Sequence, residues 1–353
     1  MTHFAQAATT VAVHDWQKEL AEGFKTPSEL LDALGLSGRA GIAHEAQREF
    51  PTRVPRCYVQ RMRFGDPSDP LLLQVLPTSR ETAPAPGYSL DPVEDLAARG
   101  ATGVLHKYHG RALLIATGAC AIHCRYCFRR HFPYSDEHAG RNGWREALEY
   151  LSQHTDISEV ILSGGDPLTL TDRRLRMLTD QFSAMPHIRR LRIHTRLPVV
   201  LPRRVTKELT EWLGRVEQVP VVVIHANHAN ELDDAVSDAL GRLRSAGVAL
   251  LNQTVLLKNV NDSVDALCAL SERLFEMGVV PYYLHLLDRV RGAAHFRVPE
   301  RRAKGLAAEI AARLPGYLVP RLVREEAGRP GKTLIPPARS RCDDGSNAPE
   351  QSH

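Results

Sequence analysis

Three cysteines lie within eight residues, Cys120-Ala-Ile-His-Cys124-Arg-Tyr-Cys127, with three and then two residues between them. Their thiolates share one short loop, and no fourth ligand follows at a regular position. A structural zinc site closes with four ligands, whereas three thiolates suit a [4Fe–4S] cluster whose fourth iron stays open to another molecule. Further on, Ser163-Gly164-Gly165-Asp166 offers two residues without side chains, which lets backbone approach a ligand, and then a carboxylate acceptor. By itself this stretch reads more readily as a tight turn. Gly328-Arg-Pro-Gly331-Lys332-Thr333 frames a lysine with glycine and proline. It is not a phosphate loop: position 326 is Glu where that motif needs Gly, and Pro336-Pro337 block the helix that must follow. The Lys332 amine could form a Schiff base with pyridoxal 5′-phosphate (PLP) or simply sit on the surface, and the residues alone leave that open. Arg129-Arg130-His131 abuts the cysteine loop and suits a carboxylate or phosphate partner.

Positioning these groups falls to a regular alternation that begins near residue 111. Apolar runs at Arg111–Thr117, Glu159–Leu162, Arg190–His194, Val219–His225, Val248–Gln253 and Val279–Leu284 read as strands. Between them, 144–153, 172–184 and 203–216 read as helices. So do the stretches capped by Asn230 and by Asp262, and 299–313. Six β-then-α units imply a parallel sheet covered by helices. Each strand ends in polar groups: the cysteines, Gly-Gly-Asp, His194-Thr-Arg196, His225-Ala-Asn-His228, Asn252-Gln253, and His285 with Asp288. A barrel gathers all those ends around one mouth, and an open sheet does not, so a barrel is expected. Asn227, His228 and Gln253 are further candidates for lining its cavity. Residues 1–100 read as an N-terminal extension, with a short helix after a Thr26 cap and proline-rich, irregular chain from Asp66 to Pro92. The barrel is expected over 101–298, a C-terminal lysine-bearing segment over 299–338, and a polar tail over 339–353.

The chain has 353 residues, 43% hydrophobic and 24% charged, as in an ordinary globular protein. No apolar run reaches membrane-spanning length, and the first residues lack the pattern of a secretory signal. A net charge of +4 with acids and bases interspersed does not point to nucleic acid. Six cysteines, half of them in one loop, fit a metal cluster in a reducing cytoplasm rather than a disulfide framework. Cys57 and Cys268 are expected to be buried apolar fillers.

The CxxxCxxC spacing, with an aromatic before the last Cys, resembles the signature of the radical S-adenosylmethionine (SAM) superfamily. There the open iron binds the amino and carboxylate groups of SAM. Ser163-Gly164-Gly165-Asp166 resembles that superfamily's motif for the methionyl amino group. From about residue 105 to 335 the chain is similar to lysine 2,3-aminomutases, which also use PLP. The matching stretches are CRYCFRRHF, LSGGDPL, LPVVLPRRVT, HANHANE, LLNQTVLLKNVND, PYYLHLLDRVRGAAHF and GRPGKT. The resemblance implies a partial (β/α)6 radical SAM barrel of TIM type, with a short C-terminal PLP-binding segment. It implies Cys120, Cys124 and Cys127 as cluster ligands, Ser163 to Asp166 on SAM, Lys332 as the PLP lysine, and Arg111 on the PLP phosphate. Arg129 would take the substrate carboxylate, and Asp288 with Glu325 its ε-ammonium. The implied reaction is a 1,2-amino migration from L-α-lysine to β-lysine, with electrons from a flavodoxin or ferredoxin. The short C-terminus with CFRRHFPY, SGGDPL and HFRV resembles the branch that makes (R)-β-lysine for elongation factor P, so that factor or its lysyl-transferring enzyme is an expected partner. Departures are Glu325 where the clostridial-type enzymes have Asp, His285 where they have Tyr, and Arg329-Pro330 within the PLP segment. The competing readings are an aminomutase for arginine or glutamate and a non-catalytic iron–sulfur redox module.

Overall fold

The computed structural model describes residues 15–38, 43–137 and 144–338. The tail expected from Arg339, with Cys342, and the leading residues before Asp15 lie outside the described residues. Strands run β1 (Arg99–Ala101), β2 (Val104–Tyr108), β3 (Arg111–Thr117), β4 (Glu159–Gly164) and β5 (Arg190–Thr195). They continue as β6 (Val219–Ile224), β7 (Ala249–Val255), β8 (Val280–His285), β9 (Arg321–Arg324) and β10 (Thr333–Leu334). All ten form one sheet in strict chain order. From β3 to β9 every pairing is parallel, while β1–β2, β2–β3 and β9–β10 are antiparallel.

That order decides between the two architectures open to alternating strands and helices. A doubly wound sheet reverses its strand order at a switch point; here it never reverses. The sheet therefore curls one way as a barrel, and it stays open because its end strands β1 and β10 do not pair among the described residues. Two side chains reach over this gap: the Tyr108 hydroxyl donates to Glu325, and Lys107 Nζ stands 3.9 Å from the same carboxylate.

All six expected strands are present. The hairpin strands β1 and β2 and the short β9 and β10 were not expected, because runs of two to five residues carry little periodicity. The β5 sequence explains its place: Leu191, Ile193 and Thr195 are buried on the helix side, while Arg190, Arg192 and His194 alternate onto the other face. Helices Asp234–Ser245 and Val264–Glu276 are capped by Asp233 and Ser263, each a few residues from the expected Asn230 and Asp262. Thr26 does cap its helix, in a reciprocal capping box with Glu29.

One apolar core joins Trp16, Leu30, Tyr58 and Leu72 of the N-terminal part to barrel residues such as Leu162, Leu209 and Leu240. A second gathers β8, β9, Val264–Glu276 and Glu300–Arg313 around Leu284, Leu306 and Leu322. The expected extension is thus packed as part of the barrel wall. Cys268 is buried, and Cys57 is half-buried with its thiol donating to the Val200 carbonyl.

Candidate active site

The cysteine loop leaves β3 and is held by chain that precedes the barrel. His123 and Arg125 donate their amides to the carbonyls of Arg53 and Gln74. The Arg125 side chain is fully buried: it grips Glu81 at 2.6 Å and donates to the carbonyls of Phe50 and Ala46 at 2.5 and 3.1 Å. Arg130 joins the same Glu81 carboxylate at 2.8 Å. Arg130, expected to be available to an anionic ligand, is therefore a brace, because its charge is spent on the Glu81 carboxylate.

The glycines of Gly164-Gly165 serve the same seat. Gly164 has φ +119°, and a Cβ there would stand 2.4 Å from the Thr117 carbonyl oxygen. A Cβ on Gly165 would stand 2.3 Å from that of Ala119. The close approach expected toward a ligand is first an approach to the strand end that launches the cysteines. The Gly165 and Asp166 amides donate to Thr117 and Ala119, each at 2.7 Å. Asp166, expected as a free acceptor, already accepts from the Leu168, Arg196 and Leu197 amides and the Thr195 hydroxyl. Its carboxylate ties β4 to the end of β5 and the turn after it. Ser163 accepts from Arg129 Nη1 at 3.1 Å.

The three cysteines are free thiols. Burial, reinforced by the neighbouring sulfurs, pushes Cys127 up to about 11 and Cys120 well above its ordinary value. Such sulfurs stay protonated unless a metal compensates their charge. Among the described residues no three Cys, His or acidic side chains converge on one point as they would around a single ion. A four-iron cluster asks for something different, since each cysteine binds its own iron.

A second group of charges forms from distant parts of the chain. Arg129 Nε bonds Asp95 at 2.7 Å, and Lys107 Nζ bonds the same carboxylate at 2.7 Å. Lys332 pairs with Glu325 at 2.5 Å. Although burial opposes ionisation, Arg129 and Lys107 hold Asp95 below the usual carboxylate range, and Lys332 and Tyr108 do the same for Glu325. Asp288, half-buried and without a bonded cation among the described residues, is pushed up to about 7; burial is the main cause, Glu325 adds to it, and Lys332 opposes it. Lys332 also bears electrostatically on His194 and His285, which burial holds well below their ordinary value. Arg129, Asp288, Glu325 and Lys332 thus belong to one charged neighbourhood. Arg111, at the first residue of β3, borders this neighbourhood through Tyr108, whose hydroxyl donates to Glu325. It stacks on the Tyr108 ring at 4.6 Å and lines a pocket with His109, Asp156, Glu159 and Arg190.

Several site residues carried no signal of their own. Asp95 and Gln74 come from the irregular N-terminal stretch. Lys107 and Tyr108 come from a hairpin strand, and Glu231 from the turn after β6. Asn227, a candidate for the cavity, is wholly buried and spends its amide on Gln74, Tyr126 and Val255. His228 accepts from the Asn230 amide.

No family model matches the chain. Among curated proteins it is 47% identical over 328 residues to the L-lysine 2,3-aminomutase of Escherichia coli, covering 92% of this chain and 96% of that one. It is 45% identical to the L-lysine 2,3-aminomutase of Haemophilus influenzae, over 91% of this chain and 95% of that one. The protein of that name from Clostridium subterminale is 32% identical over 92% of this chain and 78% of its own length. Among solved structures, coproporphyrinogen III oxidase from Escherichia coli, titled a radical SAM enzyme, matches with a TM-score of 0.40 at 14% identity. That match covers 63% of this chain and 54% of the other. The chain belongs to the L-lysine 2,3-aminomutase family.

Proposed function

With that family as the premise, we propose that this protein is a radical SAM isomerase that converts L-α-lysine to β-lysine. Its cofactors are a [4Fe–4S] cluster, SAM and PLP. The cluster and SAM supply a carbon radical that abstracts hydrogen, and PLP holds the migrating amino group. The observation that carries the reading is the meeting of Lys332 with Glu325, Asp288 and the Arg129–Asp95–Lys107 chain, drawn from five separate stretches of sequence.

In this reading Cys120, Cys124 and Cys127 hold the cluster. Ser163, Gly164, Gly165 and Asp166 present main chain to the SAM amino group, Lys332 joins PLP, and Arg111 serves the phosphate end. Arg129 grips the substrate carboxylate, its fork already oriented by Asp95. Asp288 and Glu325 bind the ε-ammonium. Two acids at this end would repel the side chain of glutamate, which favours lysine. The buried wall excludes water from the radicals. An external one-electron donor such as flavodoxin or ferredoxin reduces the cluster.

The (R) product, its use in modifying elongation factor P, and work in the cytoplasm complete the proposal. Among the described residues no helix is long and apolar enough to cross a membrane. The test is an anaerobic assay of reconstituted protein with SAM, PLP, dithionite and L-lysine, with chiral analysis of the product. (R)-β-Lysine is expected. Intact cluster and bound PLP without any β-lysine would overturn the reading.

A further inference from the structure

One buried cation beside the cysteine loop has no part in the roles above. Arg196 follows β5, and its main-chain amide is fixed by Asp166 at 2.7 Å. Its Nη1 donates to Cys124 Sγ at 2.7 Å. Its Nη2 donates to Glu231 at 2.7 Å, Gln74 at 2.8 Å and the Tyr58 hydroxyl at 3.1 Å. The guanidinium is 5.5 Å from the Tyr58 ring centroid and 5.8 Å from that of Tyr126. Arg196 is 6% exposed and Glu231 fully buried. Its Nε is buried with no hydrogen-bond partner among the described residues.

This is more apparatus than a structural ion pair requires. Glu231 alone would neutralise Arg196, yet the fork is turned so that one arm meets a sulfur while the carboxylate takes the other. The unpartnered Nε leaves a further donor on the same planar group. Gln74 and Asn227 lock the surroundings, since Gln74 Nε2 donates to Glu231 and Asn227 Nδ2 donates to Gln74. A cation held rigidly against a cluster ligand, in a site of low dielectric, acts strongly on any charge that arrives there.

We propose that Arg196 sets the reduction potential of the cluster by its charge and its hydrogen bond to Cys124 Sγ. The inference rests on the cluster reading above. Reduction adds one electron to the cluster from an external one-electron reductant, and no bond forms or breaks. The added negative charge spreads onto the sulfurs, so a donor and a positive charge at Cys124 stabilise the reduced form. Arg196 is a positioning residue in this scheme. Its contribution exists before SAM binds, which separates it from any contact with SAM.

The test is a redox titration of reconstituted protein followed by electron paramagnetic resonance, without SAM, PLP or lysine. Iron and sulfide content and the wild-type signal check the cluster reading on their own. In Arg196→Met the reduced-to-oxidised ratio at fixed potential should fall about tenfold, equivalent to ~59 mV for a one-electron couple. Arg196→Lys keeps the charge and should lie nearer wild type. Glu231→Gln removes the compensating carboxylate and should shift the ratio the opposite way. The pair Arg196→Met with Glu231→Gln balances the buried charge should the single variant fold poorly, and it should still titrate below Glu231→Gln. Equal midpoints in variants that hold a full cluster would overturn the proposal. So would loss of the cluster from every variant, which would make Arg196 a builder of the seat and not a tuner of it.

Discussion

The loop from Cys120 to Cys127 is held by groups from Ala46, Phe50, Glu81, Arg196 and Asn227, whereas the loop leading to Lys332 is held mainly by its own neighbours. In the first, buried arginines and tyrosines bond partners distant in sequence. In the second, Ala327 to Pro330 are exposed, β10 has two residues, and the anchors are Lys332 to Glu325 and Thr333 to Glu326. The difference follows from what each loop must do. Cysteines that bind separate irons need fixed spacing whether or not metal is present. A lysine that gives its amine to a cofactor, and must release it to a substrate amine, needs few competing bonds. Sparse buried contacts are what lower the local cost of such exchange.

Perturbing the two loops should therefore have different consequences. The largest effect on turnover is expected from Lys332→Ala. β-Lysine formation should fall at least about a thousandfold because the nucleophile is gone, while iron content and thermal midpoint stay at wild-type values. A drop in iron content would show that the loops are not independent. The largest effect on stability is expected from Glu81→Gln, which leaves Arg125 and Arg130 buried without their carboxylate. Urea unfolding should register a loss of about 3–5 kcal/mol, together with poorer iron retention.

Gly165→Ala comes next. Its methyl group would press on the Ala119 carbonyl at 2.3 Å, so the strand end must shift. A loss of about 1–3 kcal/mol is expected, with the cluster signal altered before overall helicity is. On the lysine side, Asp288 sits near 7 in the free protein and binds a cation only when ionised. Below that value kcat/KM for lysine should fall about tenfold per pH unit, and Asp288→Asn should remove this limb of the profile. A profile unchanged by that substitution would remove Asp288 from the substrate site. The smallest effect is expected from Thr333→Ala, at about 0.5 kcal/mol or less, because its hydroxyl serves only the margin of the open loop.

Legibility in the sequence divides along the same line. The cysteine spacing, Gly-Gly-Asp and the six long strands are contiguous patterns, and they read directly. The clamp around the cysteines does not read, because Gln74, Glu81 and Asp95 are isolated polar residues in proline-rich chain without periodicity. Their value comes from partners tens of residues away, such as Arg125 and Arg129. Asp166 shows the reverse case. Its residue type suggested a ligand acceptor, but the end of β5 and the turn after it bring the Thr195 hydroxyl and two amides onto it, beside the local Leu168 amide, and no local pattern announces that turn. Lys332 was legible only through the resemblance of its segment, and the structure adds Glu325 and Asp288 near it.

The strict strand order has a further consequence for biosynthesis. Each new strand pairs with the one made just before it, so the sheet can extend as the chain leaves the ribosome, without waiting for distant segments. Glu81 and Gln74 are made before the cysteines they clamp, and Arg196 and Glu231 follow within the next strands. Lys332, near the end of the chain, is translated last among these groups. In the proposed reading, a nascent chain would complete the fittings of its cysteine loop while it still lacks Lys332, so the seat for the cluster would form before the seat for PLP.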